Sequence, residues 1–118
     1  MDRINYQVSY IRVGASDLLR SLTFYEDIMG LTLISKNIDD GYLLFTLSGL
    51  TLIIEKSDED ADICPCRYLG ISLKVQHIFQ VYEYFLSQGV NFDHPPEKQF
   101  WGGYLSEFTD PDGNIWTL

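Results

Sequence analysis

The pattern of hydrophobic and polar residues in the first half of the chain predicts four short strands, with one helical pattern between the first two. Residues 8–13 have the two-residue period of a half-buried strand, and the turn signals at residues 39–41 and 48–49 separate further strands at residues 31–38, 42–47 and 50–56. After the first strand, apolar side chains recur at helical spacing until Gly30, a residue type that commonly ends a helix. The first half of the chain therefore predicts the element order β-α-β-β-β.

The second half repeats this pattern after a shift of about 60 residues. Residues 68–75 predict a strand, and residues 78–85 predict a helix that ends at Gly89. Residues 90–92 begin a further strand, and residues 104–118 predict a closing hairpin around the turn sequence Asp-Pro-Asp-Gly-Asn. The chain is therefore predicted to contain two β-α-β-β-β modules.

Two segments do not fit a regular element. The like-charged run at residues 57–62 predicts a solvated linker between the modules. Residues 94–98 are predicted to form a loop, because the consecutive prolines cannot donate to a strand ladder. Cys64 and Cys66 flank Pro65 in a C-x-C spacing that lacks a second pair to complete a metal site, so we expect two reduced thiols.

Composition narrows the class of protein. The 118 residues suit one domain, and a hydrophobic content of 46% allows a modest core. The net charge of −9 argues against nucleic acid and anionic membranes as partners, so neither is expected. No apolar run approaches the ~20 residues of a membrane span, and the first residues lack a signal-peptide pattern. A cytoplasmic location is therefore expected.

Two motifs carry a family resemblance. The first is FWGGYLSEFTDPDGNIWTL at residues 100–118, and the second is the pattern S-D-L-x-R-S-x-x-F-Y followed by M-G-L within residues 16–31. Both resemble the vicinal oxygen chelate superfamily, which includes glyoxalase I, the bleomycin-resistance proteins and the extradiol dioxygenases. The resemblance covers nearly the whole chain.

The resemblance implies an α+β fold in which two tandem β-α-β-β-β modules form a curved mixed sheet around a concave pocket. Module one would occupy about residues 5–57 and module two about residues 67–118. By strand alternation, the positions expected to face the pocket are Tyr10, Arg12, Gly70, Ser72 and Lys74.

Metal-dependent members of the superfamily place His, Glu or Gln at four equivalent strand positions that hold a divalent ion. The resemblance puts those positions at Tyr10, Glu55, Gly70 and Thr117. Glu55 alone has a usual ligand side chain, so we expect no bound metal and no other cofactor. His77 and His94 fall at none of these positions and are expected to lie at the surface or to cap a helix.

The bleomycin-resistance proteins share the Trp-Gly pair before the final hairpin and bind their ligand without catalysis. By this resemblance, Trp101 and Tyr104 would line the pocket and stack on an aromatic or cationic ligand; alternatively, Trp101 packs under the loop. Arg12 and Lys74 favour an anionic group, whereas Glu55 favours a cation, so the charge preference of the pocket stays open.

Three functions remain open. The first is a metal-free protein that binds a small, partly aromatic molecule; the second is a lyase, isomerase or dioxygenase with Glu55 or Tyr10 as the reactive group. The third is a subunit with a decayed pocket and a role in interaction. A homodimer is expected, because Phe79 and Tyr84 add apolar surface outside the helix stripe. The candidate ligand-binding residues are Tyr10, Arg12, Glu55, Ser72, Lys74, Trp101, Tyr104 and Thr117.

Overall fold

The computed structural model of the protein describes residues 2–58 and 62–118. The first module forms a four-stranded sheet in the order β1-β4-β3-β2, with β1 parallel to β4 and the other pairs antiparallel. A short helix and a π-helical segment connect β1 to β2. The elements are β1 (Tyr10–Ala15), α1 (Leu18–Leu22), the π-helical segment (Thr23–Ile28), β2 (Thr32–Asn37), β3 (Tyr42–Leu47) and β4 (Leu50–Lys56).

The second module repeats this arrangement with an inserted hairpin. Its four-stranded sheet has the order β5-β10-β9-β6, again with the first and last strands parallel, and β7 pairs with β8 alone. The prediction of an α+β fold with paired modules and open curved sheets is confirmed. The elements are β5 (Tyr68–Ser72), α2 (Ile78–Ser87), β6 (Asn91–Phe92), β7 (Glu97–Lys98), β8 (Tyr104–Leu105), β9 (Glu107–Thr109) and β10 (Ile115–Thr117).

The hairpin of β7 and β8 corrects two predictions. Residues 94–98 are not entirely loop, because Glu97 and Lys98 pair with Leu105 and Tyr104. The prolines lie just before this strand, and their missing N–H groups do not affect it. The closing hairpin consequently begins at Glu107 instead of residue 104.

The first helix is also different from the predicted regular α-helix. Asp17 caps α1 by accepting hydrogen bonds from the backbone N–H groups of Leu19 and Arg20, as expected for an N-cap aspartate. Beyond Leu22 the helix widens to π-helical geometry through Ile28. Apolar spacing over so few residues does not distinguish the two helix types, so the sequence pattern could not predict the change.

A buried polar cluster connects the two modules. The Tyr25 hydroxyl, in the π-helical segment, donates to Asp110 Oδ2 at 2.6 Å and accepts from Trp116 Nε1 at 3.1 Å. Asn114 Nδ2 donates to the Gly14 carbonyl at 2.8 Å. Burial, and secondarily the Asp110 carboxylate, raises the pKa of Tyr25 well above its ordinary value. The turn sequence between β9 and β10 therefore positions module one as well as closing its own hairpin.

The hydrophobic core is continuous across the modules. Trp116, Tyr25 and Phe45 are its largest fully buried side chains, and Tyr25 lies between the rings of the other two. The outer faces of both sheets stay open. No helix within the described parts of the chain is long and apolar enough to cross a membrane.

The predicted linker at residues 57–62 lies partly outside the described residues, which omit Glu59 to Ala61. Its last residue, Asp62, is exposed but is not simply solvated. Its carboxylate accepts hydrogen bonds from the Arg12 guanidinium at 2.7 and 3.3 Å. The end of the linker is thereby attached to the open face of the first sheet.

Candidate functional site

Four of the predicted ligand-binding residues converge on one groove in module two. Ser72, Lys74, Trp101 and Tyr104 line a cavity of about 380 Å³, together with neighbouring apolar side chains. We call this cavity the aromatic groove. It lies between the segment that follows β5 and the inserted hairpin of β7 and β8. Its volume is within the range of small-molecule sites in proteins.

Backbone hydrogen bonds hold the wall of the aromatic groove in place. The Leu73 N–H donates to the Thr117 carbonyl at 2.8 Å, which extends the pairing of β5 with β10 beyond Ser72. Ser106 and Leu118 exchange two backbone hydrogen bonds at 2.8 and 3.2 Å. The groove wall therefore belongs to the second sheet.

The opposite wall is the tip of the inserted hairpin. Trp101 is 60% exposed, and its ring meets that of Phe100 edge-on at a centroid distance of 5.1 Å. A Cβ atom on Gly103 would lie 2.6 Å from Trp101 Nε1, so the indole can occupy this position only beside a glycine. Tyr104 packs edge-on against Phe79 of α2, with ring centroids 5.3 Å apart, which attaches the hairpin to the helix. The groove thus presents a solvent-exposed aromatic wall.

A second, larger cavity adjoins the aromatic groove. It has a volume of about 550 Å³ and lies between the modules, with Met29 and Leu31 on one side and Val81 and Phe85 on the other. We call it the apolar cleft. Residues 72–75 and Leu118 line both cavities, so the two meet along one stretch of chain.

Three of the remaining predicted residues, Tyr10, Arg12 and Glu55, lie in module one, away from this groove, whereas Thr117 lies in β10 of module two. Arg12 donates to both carboxylate oxygens of Glu55 at 2.8 Å, from Nε and Nη2, and also contacts Asp62. The hydrogen bonds and charge of Glu55, followed by those of Asp62, raise the pKa of Arg12 above its ordinary value. In this arrangement the Arg12 guanidinium stays charged and faces two carboxylates, and each Glu55 oxygen already accepts a hydrogen bond from it. Arg12 and Glu55, which were expected to offer a free cation and a free carboxylate to a ligand, therefore form an ion pair with each other.

Tyr10 is 55% exposed on the same strand as Arg12. Glu55 also borders a shallow cavity of about 380 Å³ with Tyr42 and Ile53, on the open face of the first sheet. This depression is separate from the aromatic groove, since no residue lines both. The structure therefore places the two catalytic candidates on paired strands of module one, where Tyr10 lies opposite Thr51 and Glu55 opposite Gly14, and the aromatic residues of the groove elsewhere.

The four positions that the family resemblance assigned to a metal, Tyr10, Glu55, Gly70 and Thr117, include one usual ligand side chain, that of Glu55. Gly70 has a φ of +70° beside an irregularity in the pairing of β5 with β10, so the backbone itself favours glycine. Thr117 is buried, with Oγ1 3.4 Å from the Tyr68 hydroxyl oxygen. Among the described residues, no three His, Cys, Asp or Glu side chains lie close enough to share an ion. The side chains present do not fit a divalent metal.

The histidines and cysteines lie outside the groove. His77 is the N-cap residue of α2 but makes no side-chain capping bond. His94 Nδ1 lies 2.7 Å from the Pro95 carbonyl oxygen, and Nε2 lies 3.5 Å from the Asp93 carboxylate. The Pro95 contact is the main cause that raises the pKa of His94. Cys64 and Cys66 are unpaired thiols.

The two β-α-β-β-β modules, whose sheets have matching strand orders, define the class of α+β proteins that are built from paired modules. The chain belongs to the Glyoxalase/Bleomycin resistance protein/Dioxygenase superfamily, whose family model matches residues 7–118. The resemblance drawn from the two sequence motifs is thereby confirmed. Comparison with curated proteins gives no significant match.

Solved structures show the same relationship. A superfamily member from Sphaerobacter thermophilus DSM 20745 is 30% identical, with a TM-score of 0.79 over 98% of this chain and 96% of its own. Lactoylglutathione lyase from Agrobacterium tumefaciens is 16% identical, with a TM-score of 0.76 over 97% of this chain and 92% of its own. A superfamily protein from Nocardioides is 20% identical, with a TM-score of 0.76 over 98% and 83%. The last two share the fold alone.

The apolar cleft was not predicted from the sequence. Leu31 and Val81 follow the same apolar periodicity as residues of the core, and a side chain that lines a cavity has the same sequence pattern as one that fills it. Lys74 and Trp101 could be predicted because a family motif or strand alternation distinguished them. No comparable signal marked the cleft.

Proposed function

We propose that this protein binds a small, partly aromatic molecule in the aromatic groove without using a metal ion. The observation that carries the proposal is the convergence of Ser72, Lys74, Trp101 and Tyr104 on one cavity. Indole and phenol rings offer flat faces for stacking, and hydroxyl and ammonium groups can orient a polar substituent. A concave site with aromatic walls and few polar groups is typical of small-molecule binding.

The alternative enzymatic roles receive less support from the geometry. A general base or metal ligand at Glu55 would compete with Arg12, which already donates one hydrogen bond to each of the two carboxylate oxygens. We therefore expect metal analysis of the purified protein to find less than stoichiometric zinc, nickel, manganese or iron. A stoichiometric metal that survives dialysis and is lost in Glu55→Ala would support the metal-dependent alternative instead.

Trp101 provides the direct test of the proposed site. A panel of aromatic acids, amines and neutral amides is screened by thermal shift, and each hit is titrated by calorimetry. We expect Trp101→Ala to weaken binding about tenfold or more, because stacking contributes about 1 kcal/mol beyond the burial of apolar area.

The matched control is Phe100→Ala, which removes the neighbouring ring at the hairpin tip. Phe100 is 98% exposed and does not line the groove, so its loss should leave the affinity nearly unchanged. A panel without any hit, or equal affinities in wild type and Trp101→Ala, would contradict the proposed function.

We also propose that the protein forms a homodimer. The radius of gyration is 15.5 Å, whereas a compact chain of this length is expected at about 13.5 Å. Phe79, Tyr84 and Leu86 of α2 are each nearly half exposed. An extended chain with apolar residues on its outer helix favours association with a second copy.

Light scattering at high micromolar concentration should give twice the monomer mass. Leu86→Glu should shift the protein toward the monomer, because it places a charge within the apolar surface of α2. Gln80→Glu adds the same charge at another exposed position of the helix and should leave the dimer intact. A wild-type mass of one chain at this concentration would refute the dimer.

A further inference from the structure

The aromatic groove and the apolar cleft adjoin at residues 72–75 and Leu118. The groove has the aromatic wall of Trp101 and Tyr104. The cleft is lined mainly by aliphatic side chains, with the rings of Tyr84 and Phe85 on the α2 side. The flat side chains of the groove favour an aromatic ring, which can stack on them. The cleft favours a hydrocarbon chain, because removing apolar area from water there stabilises binding. One molecule with both parts would occupy both cavities.

Charge at the junction indicates the third part of such a molecule. Lys74 lies on the shared wall, and among the described residues it is the only side chain with a formal charge that lines either cavity. It makes no ion pair with a described residue. Arg12, the other predicted cation, is already occupied by two carboxylates. An otherwise strongly acidic chain thus presents a free ammonium group at this junction, where an anion would be favoured.

We propose that the ligand class is an aromatic acid that carries an alkyl or acyl chain, with its anionic group between the ring and the chain. The ring stacks in the aromatic groove, the anion pairs with Lys74, and the chain enters the apolar cleft. This inference rests on the proposed function, because it takes the groove as the aromatic site. It adds the apolar cleft, the sign of the charge and the order of the three groups.

N-octanoyl-L-phenylalanine has these three groups in this order and serves as the probe. Three relatives each lack one group: N-acetyl-L-phenylalanine has no long chain, octanoate has no ring, and N-octanoyl-L-phenylalaninamide has no charge. Calorimetric titration should give the tightest binding for the probe. Each additional CH₂ buried in the cleft should tighten binding by about threefold to fourfold. The amide should bind about fivefold or more weakly than the acid.

Variants assign each effect to a cavity. Val81→Trp fills the cleft from α2, so the octanoyl probe should bind no better than the acetyl compound. Leu47→Trp fills the cleft from module one and serves as a second variant if the first melts below the assay temperature. Lys74→Gln should bring the affinities of acid and amide to within about twofold, whereas Lys74→Arg should keep the preference for the acid.

The outcomes separate this inference from the proposed function. Binding of the acetyl compound that depends on Trp101 but does not improve with chain length would overturn the inference and leave the proposed function standing. Chain-length dependence that Val81→Trp abolishes, without any effect of Trp101→Ala, would support the cleft and overturn the aromatic groove. Equal binding of acid and amide to the wild type would overturn the role of Lys74.

Discussion

The two sheets of this protein have the same strand order, yet their outward surfaces differ in chemistry. In module one, Arg12 and Glu55 lie two positions apart on paired parallel strands and join in a bidentate ion pair. A shift of about 60 residues places Ser72 at the position of Arg12, and the nearby Lys74 makes no ion pair with any described residue. The comparison teaches that one repeated framework can carry a surface where opposite charges are paired and a groove whose lysine is not paired with a described residue.

One shared core supports both outward surfaces. The two tryptophans give the strongest test of the distinction between this core and the exposed groove. Trp116 is fully buried between the modules, so Trp116→Ala should lower the free energy of unfolding by about 3–5 kcal/mol. Trp101→Ala should change it by about 0.5 kcal/mol or less, since the side chain is mostly exposed. Urea denaturation followed by circular dichroism measures both. A large loss of stability in Trp101→Ala would show that the hairpin tip is a packing element and not a binding wall.

The ion pair of module one should contribute little to the stability of the fold and nothing to the affinity of the groove for a ligand. Arg12→Gln should leave the free energy of unfolding nearly unchanged, because Arg12 and Asp62 are substantially exposed and solvent screens their interaction. Affinity for a groove ligand should change less than about twofold.

Lys56→Gln is the matched control for this variant, since it removes a positive charge from the same sheet at a residue without a described ion pair. Denaturation and calorimetry of both variants give the comparison. A several-fold loss of affinity that is specific to Arg12→Gln would show that the open face of module one belongs to the binding site.

The smallest effect is expected from His94, next to the inserted hairpin of module two. Its pKa in the folded protein is raised above the ordinary value of 6.5, so the charged form favours folding. This contribution is complete below the unfolded pKa and is lost as pH rises through the higher folded pKa. Melting curves between pH 5 and 8 should therefore show a small loss of stability that is absent in His94→Gln. A gain in wild-type stability across the same interval, absent in His94→Gln, would reverse the assigned sign.

Several features followed from the sequence alone because they depend on local rules. The turn signals at residues 39–41 and 48–49 bounded β3 and β4 at residues 42–47 and 50–56, the bounds that the structure shows. The 60-residue repeat predicted two modules, and the two motifs at residues 16–31 and 100–118 identified the superfamily. Trp101 and Lys74 were candidate ligand contacts on the same grounds. These features need only the order of residue types along the chain, without any distance between segments in space.

Tertiary structure decided what those side chains can do. Arg12 and Glu55 are 43 residues apart, and only the parallel register of β1 with β4 makes them neighbours. The pairing of β7 with β8 gave the hairpin that presents Trp101, and the approach of the two modules created the apolar cleft. Periodicity identifies which side chains are apolar, but a cavity or an ion pair depends on distances between segments far apart in the chain. That is the physical reason why the sequence predicted the framework, whereas the structure determined which charges and surfaces remain available to a ligand.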